Sequence, residues 1–280
     1  MKKTVVITGV SSGIGLDAAR YLLDKGYQVF GSVRKAADGE TVQAKLGDNF
    51  TPLLFDVTDA GAIAEAVKVV ESKLGGDNLT ALVNNAGVSV IGPLLHIPLD
   101  EVRHNIEVNT IGVLSVTQAF APLLGARPDS QSDPGRVVNI TSVNGAVALP
   151  MFGGYNASKF AAEAINDTLR RELSIYGIHV SAIKPGQVTT DIQSKVDYDS
   201  LETRYGKTRY WPAFNVLRDS FANGKDIPVV EVSKKILHAV ESPKPKADYP
   251  MHMMLRLNWL LPTKKMDNIL NKFAGMDRCK

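Results

Sequence analysis

Thr8-Gly9-Val10-Ser11-Ser12-Gly13-Ile14-Gly15 follows the apolar run Thr4-Val5-Val6-Ile7 and opens a segment with Ile14, Ala18, Ala19, Leu22 and Leu23 at three and four spacing. A short buried strand, a glycine turn and a helix are expected in that order. Such a turn leaves backbone amides free at a helix N-terminus, where a dinucleotide pyrophosphate can sit if no side chain blocks it. The spacing is not G-x-G-x-x-G, because three residues separate Gly9 from Gly13 and one separates Gly13 from Gly15. A plain tight turn between strand and helix therefore stays open beside the cofactor reading.

Working outward, short runs rich in valine and isoleucine recur at Tyr27 to Val33, Pro52 to Phe55, Leu79 to Val83, Arg136 to Ile140 and His179 to Ile183. Segments of helical period lie between them, such as Ile63, Ala66, Val67 and Val70. Strands apolar on nearly every position suit a parallel sheet covered on both faces, so the pattern predicts an α/β, doubly wound fold. The rhythm weakens after Pro185. Residues 187–226 carry Trp211, Phe214 and Phe221 without a clear period and read as a substrate lid. A helix over Val230 to Val240, a last strand near Asp248 to Met251 and an apolar tail over about 250–280 complete a single domain of residues 1–280.

The 280 residues are 44% apolar and 22% charged, enough for a large core without metals or disulfides. The single cysteine, Cys279, cannot form an internal bridge. Basic residues exceed acidic ones by 32 − 29 = 3, which argues against a nucleic-acid surface. Val5-Val6-Ile7 is too short for a signal peptide, and cytoplasm is the expected compartment.

An acidic residue closing the second strand would accept hydrogen bonds from the adenosine ribose of NAD. Here stand Val33 and Arg34, and a guanidinium can grip a 2′-phosphate, so NADP(H) is favoured over NAD(H). A solvated surface arginine is the bland alternative.

Tyr155 and Lys159 lie four apart in a segment of helical pattern, on one face and one turn apart. A lysine cation favours phenolate, and lowering a tyrosine from about 10 to about 7 needs about 4 kcal/mol of differential interaction, which a close cation together with a nicotinamide charge can supply. Tyr155 could then exchange a proton near neutral pH. Ser142, 13 residues earlier, would hydrogen-bond a substrate oxygen as charge develops on it. Tyr21 and Lys25 repeat the Y-x-x-x-K spacing with no serine upstream and serve as an internal control.

These residues resemble the short-chain dehydrogenase/reductase family, from Lys3 to about Ile192. The signatures are Thr8 to Gly15, Asp56-Val57, Asn84-Asn85-Ala86-Gly87, Ser142 with Tyr155-Asn156-Ala157-Ser158-Lys159, and Pro185-Gly186 with Val188 and Thr190. The resemblance implies a Rossmann-like fold with pyrophosphate on Gly9, Ser11, Ser12, Gly13, Ile14 and Gly15, and adenine near Asp56 and Val57. It further implies adenosine ribose beside Asn85, Ala86 and Gly87, and the nicotinamide carboxamide on Pro185, Gly186, Val188 and Thr190. Asn109 matches a helix asparagine that supports a water-linked proton path to the lysine. Tyr155 and Lys159 would also touch the cofactor, and the long helices near Leu99 to Leu124 and Tyr155 to Tyr176 resemble those that pair protomers, so a homodimer or homotetramer is expected.

The five histidines are scattered and no hydrolase elbow surrounds a serine, so neither a metal centre nor a G-x-S-x-G hydrolase is supported. The sequon Asn139-Ile140-Thr141 falls inside an expected buried strand. Apolar segments at Val90 to Ile97, Val147 to Phe152, Trp211 to Phe221 and the tail with Met253, Met254, Leu255, Leu257, Trp259, Leu260 and Leu261 suit a hydrophobic alcohol or ketone. The tail resembles the hydroxysteroid and retinol dehydrogenase branch; a subunit interface or a membrane contact are the other readings, the membrane less favoured. NADPH-dependent carbonyl reduction is the leading expectation, with a non-catalytic NADP-binding redox sensor as its alternative.

Overall fold

The computed structural model describes residues 3–189, 197–223 and 226–279, apart from the side chains of Arg256, Leu257 and Trp259. In chain order the chain runs β1 (Thr4–Ile7), α1 (Gly13–Asp24), β2 (Gln28–Val33), α2 (Ala36–Leu46), β3 (Phe50–Leu54), α3 (Ala60–Leu74), β4 (Ala81–Asn84) and α4 (Leu99–Ile106). After α4 come α5 (Gly112–Phe120), β5 (Arg136–Ile140), α6 (Gly153–Glu172), β6 (His179–Lys184), α7 (Tyr198–Tyr205), α8 (Trp211–Asn223) and α9 (Val229–Glu241). β7 (Asp248–Pro250), α10 (Met254–Leu260) and α11 (Thr263–Phe273) follow.

Among the described residues the strands form one parallel sheet in the order β3-β2-β1-β4-β5-β6-β7. Alternation of side chains along each strand divides the apolar runs between two cores. Val5, Ile7, Val83 and Val138 pack with Ala18 and Leu22 of α1 and with Val232 and Ile236 of α9. Val6, Leu82 and Val137 face the other way, onto Ile63 and Val70 of α3, Val116 and Phe120 of α5 and Leu169 of α6. The chain leaves β1 toward β2 and β3 and returns to β4 on the other side, so the loops after β1 and β4 part at the carboxyl edge. Parallel sheets of this order bind ligands in that crevice.

Two sequence expectations need correction. The helix expected over Leu99 to Leu124 is broken by a π-helical turn, Glu107–Ile111, in which Gly112 N–H bonds Glu107 O, and it ends in a 3₁₀ turn, Ala121–Leu124. Residues 187–226, read as aperiodic, contain α7 and α8. Asp197 Oδ1 caps α7 by accepting Ser200 N–H at 3.0 Å, and only short stripes are buried: Leu201 and Tyr205 on α7, Ala213, Phe214 and Leu217 on α8. Stripes that short do not establish a period.

A buried amide ladder fastens α5 and α6 to the sheet. Asn84 Nδ2 donates to Thr117 Oγ1 of α5 at 2.9 Å and to Asn139 Oδ1 at 2.8 Å, and Asn139 Nδ2 donates to Asn166 Oδ1 of α6 at 2.9 Å. Asn139, the sequon residue, is 2% exposed within β5. Asn139→Ala strands a donor of Asn84 and an acceptor of Asn166, so it is expected to cost about 2–3 kcal/mol, measured as a lower urea midpoint with an unchanged m-value.

Candidate active site

Gly9, at φ +73°, donates its N–H to Ser32 Oγ of β2 at 3.0 Å, and Val10 N–H reaches Ser32 O at 3.0 Å. Asn85, just past β4, donates Nδ2 to Thr8 O at 2.9 Å and Gly9 O at 3.1 Å, while Thr8 Oγ1 accepts Asn85 N–H and Ala86 N–H at 2.9 Å each. The loops after β1 and β4 are thus tied across the crevice. A Cβ on Gly15 would run into Gly9 O and Asn85 Nδ2, so this position admits only glycine. Gly13 holds φ +60°, the left-handed region that glycine enters freely. The first bond of α1 runs from Leu16 N–H to Ser12 O at 3.4 Å, which leaves the amides of Gly13, Ile14 and Gly15 without helical acceptors. Ser11 is exposed and Ser12 partly so. A pyrophosphate fits this cradle on geometric and electrostatic grounds.

The Asn85 amide donates to the loop carbonyls and so shapes the cradle; Ala86 lies 3.0 Å from where a Gly9 Cβ would stand. Arg34 is exposed at the end of β2, and its charge reaches Asp56 past β3. Burial alone would raise the Asp56 carboxyl. Hydrogen bonds from Thr58 N–H at 3.0 Å and Thr58 Oγ1 at 2.8 Å, with the Arg34 and His104 charges, outweigh it and hold the group below its ordinary value. Val57 is buried against Gly112.

Ser142, two residues past β5, is 6% exposed and caps a 3₁₀ turn, its Oγ accepting Asn144 N–H at 3.1 Å, and the next residue donates Val143 N–H to Pro185 O at 2.9 Å. The loops after β5 and β6 are thereby joined. Gly186 packs on the His252 ring, Val188 is buried, and Thr190 lies outside the described residues. Tyr155 sits in the first turn of α6 and Lys159 one turn on. Lys159 is 5% exposed; its Nζ donates to Ile140 O at 3.0 Å and stands 5.8 Å from the Tyr155 ring centroid. The control pair behaves similarly in distance, Lys25 Nζ being 5.6 Å from the Tyr21 ring, but Lys25 is exposed on the surface of the first helix. Burial, not spacing, separates the two.

Asn109 lies inside the π turn and is fully buried. Its Oδ1 accepts Val88 N–H at 2.8 Å, and its Nδ2 donates to Val88 O at 2.8 Å and Ser158 Oγ at 2.9 Å. The side chain therefore braces the Gly87-Val88 loop against α6. A Cβ on Gly87 would stand 3.1 Å from Asn109 Oδ1 and 3.7 Å from Lys159 Nζ, which brings three predicted residues to one point. π turns are rare in helices, and where they occur they frequently lie at functional sites.

Burial raises the Tyr155 phenol, opposed by the hydrogen bond with Ser142, and burial lowers Lys159 to about 8, opposed by the charge of Glu163. In the protein alone the tyrosine is thus a neutral phenol. The lowered value expected from the sequence counted a nicotinamide charge that only a bound cofactor brings.

On the other side of Tyr155 lies an apolar wall: Met151, Phe152, Leu201, Tyr205, Phe214 and Leu217, with Leu149, Trp211 and Phe221 packed against it. Met151 holds φ +69°, a strained conformation for a residue with a Cβ, of the kind that gathers at binding sites. The tail packs along the loop beyond Ser142: Met254 and Leu261 join Val143 and Val147, and Asn258 Nδ2 donates to Ala146 O at 2.8 Å. Met253 and Leu260 are exposed, and the Leu257 and Trp259 side chains lie outside the described residues. Among the described residues no helix is long and apolar enough to cross a membrane. Sequence reasoning missed Ser32 and Glu163 and gave Ser158 no role of its own; Ser32, a polar residue in the apolar β2, carried a signal, whereas Ser158 and Glu163 sit among the many polar residues of α6.

The family model described as short chain dehydrogenase matches residues 3–200. The chain is 40% identical over 273 residues to the NADPH-dependent 3-dehydrocapnine reductase of Ornithobacterium rhinotracheale, covering 95% of each chain. Retinol dehydrogenase 5 of Mus musculus is 32% identical over 283 residues, covering 95% of this chain and 87% of its own. In fold, a short chain dehydrogenase from Burkholderia cenocepacia J2315 in complex with NADP superposes with a TM-score of 0.74 at 24% identity, over 96% of this chain and 97% of that one. The chain belongs to the short-chain dehydrogenase/reductase family and is an oxidoreductase of the kind that works with NAD(P).

Lys159 supplies a stability signature. Its proton leaves the folded protein near pH 8 but the unfolded chain near 10.5, so between those values the unfolded chain binds more protons and stability rises with pH. Relative to Lys159→Met, the cofactor-free protein is expected to gain on the order of 2–3 kcal/mol from pH 7.5 to 10, read from urea unfolding at each pH.

Proposed function

We propose that the protein reduces a hydrophobic ketone or aldehyde with NADPH, and the observation that carries this reading is the neutral, partly buried Tyr155 phenol between Ser142 and an apolar wall. Bound NADPH supplies the hydride. Ser142 holds the carbonyl oxygen through its hydroxyl, a contact that strengthens as charge grows on that oxygen. Tyr155 gives its phenolic proton to the same oxygen, completing the alcohol. Lys159, 5.8 Å from the ring centroid, stabilises the phenolate left behind and is at hand for the nicotinamide ribose. Pro185, Gly186 and Val188 follow β6 where a carboxamide would be held, with Thr190 of the same signature outside the described residues and Gly13 to Gly15 under the pyrophosphate. A phenol that starts protonated suits reduction over oxidation.

The preference for NADPH rests on Arg34, exposed where a 2′-phosphate would lie with no acid closing β2. Support also comes from the NADPH-dependent relative and the NADP-bound neighbour. The apolar character of the substrate rests on Met151, Phe152, Phe214 and Leu217, with α7 and α8 as its cover.

Purified protein with a panel of apolar ketones is expected to consume reduced nicotinamide absorbance, and Tyr155→Phe to lose about 10²–10⁴-fold in kcat with NADPH affinity kept within about threefold. Tight NADPH binding without turnover of any carbonyl would instead favour the redox-sensor alternative. Arg34→Ala is expected to weaken NADPH by about 10–100-fold and leave NADH unchanged, checked by fluorescence titration; equal losses for both would defeat the NADP assignment.

A further inference from the structure

Behind the catalytic lysine lies a group of charges that the reaction as described does not use. Glu163 stands one turn beyond Lys159 on the same face of α6. Its Oε2 pairs with Lys184 Nζ at the end of β6, 2.8 Å away, while its Oε1 is buried with no hydrogen-bond partner among the described residues. Lys184 is shared: its Nζ also pairs with Asp248 Oδ1 of β7 at 2.8 Å. The Glu163 side chain is 15% exposed and that of Lys184 17%, so water screens the group poorly. Gly145, in the loop after Ser142, permits this packing, because a Cβ there would lie 2.8 Å from Glu163 Cγ and 3.0 Å from Lys159 O.

Other charges on elements packed against α6 are engaged or exposed. On α4, Asp100 pairs with Arg103 at 2.7 Å, Glu101 pairs with Arg204 of α7 at 2.5 Å, and His104 acts on Asp56. On α6 itself Asp167 pairs with Arg170 and Arg171. Glu107 of the π turn, Glu172 and His179 are exposed. Lys159 faces the Tyr155 ring, the Ile140 carbonyl and, a turn away, Glu163.

We propose that Glu163 is a positioning residue that keeps the buried Lys159 ammonium charged, and that Lys184, divided between Glu163 and Asp248, sets how much of that negative charge Lys159 receives. The inference rests on the reading of Lys159 as the charge partner of Tyr155. A buried ammonium with one carbonyl acceptor sheds its proton easily, and burial does bring Lys159 down to about 8, with the Glu163 charge the opposing influence. Because β7 leads into the tail helices, the network also links the tail to the charge state of the site.

The test follows the Lys159 titration in cofactor-free protein by NMR of carbon-labelled lysine side chains, its signal identified by loss in Lys159→Met. Glu163→Gln is expected to lower the Lys159 midpoint by about one pH unit. Lys184→Met removes the competing cation and is expected to raise it by a similar amount. The alkaline limb of NADPH-dependent ketone reduction should move in the same two directions. General damage to packing cannot move the two variants oppositely, so an unshifted midpoint or a shift of one sign in both overturns the proposal. Should Glu163→Gln fail to fold, absence of the rise in Lys184→Met is enough to overturn it. Opposite shifts with no turnover of any ketone would sustain this inference and defeat the reductase reading.

Discussion

An ammonium group kept charged in a nearly dry place is the constraint on which the site depends. Lys159 is 5% exposed, hangs from the Ile140 carbonyl at 3.0 Å and, among the described residues, pairs with no carboxylate. Charge there works against folding, because burial favours the neutral amine. The same burial gives a charge there its reach, because charges interact more strongly in a poorly screened space than on the surface, where Lys25 stands beside Tyr21. In the proposed reaction, the usefulness of this charge and its folding cost have a single origin.

Holding that lysine requires α6 to lie hard against the carboxyl edge of the sheet, and several contacts serve this end. Asn166 ties the middle of α6 to β5, Ser158 meets Asn109 in the π turn, and Thr110 Oγ1 donates to Ser158 O at 2.8 Å. The π turn belongs to the same arrangement. Asn109 is drawn onto the Val88 backbone by two hydrogen bonds, and the helix takes one wide turn to let it reach. Each fixes backbone in place around a functional side chain without touching a substrate.

Much of this was legible in the sequence, because the strands alternate between two cores and the motifs sit at strand ends. Every run expected as a strand is one, to within about two residues, since short stretches apolar at most positions leave few alternatives. The clustering of Gly87, Asn109, Ser142, Tyr155 and Lys159 was legible only through resemblance; no local rule brings Asn109 to Gly87 across 22 residues of chain. What was not legible depended on partners far away in sequence. Ser32 shapes the glycine turn from β2, Asn85 spends its amide on Thr8 and Gly9, and Glu163 meets Lys184 across a crossover. α7 and α8 escaped because their buried stripes are two and three residues long and derive their order from the wall they cover.

The two halves of the crevice are built of different material, and this bears on what evolution can change in each. The half under the glycine turn is made of backbone: carbonyls, amides and positions where a Cβ collides, so almost any substitution there breaks the shape. The half beyond Tyr155 is made of side chains from separate segments, with Tyr205 stacked on Phe214 at 5.4 Å between centroids and Trp211 tilted against it at 5.5 Å. Side-chain walls tolerate volume-conserving exchange, whereas backbone cradles do not. Met151 stands between the two, its φ of +69° held by the Gly92 N–H that donates to its carbonyl at 2.8 Å. Met151 lies four residues before Tyr155 in the chain, so this strained stretch of backbone joins the apolar wall to the first turn of α6.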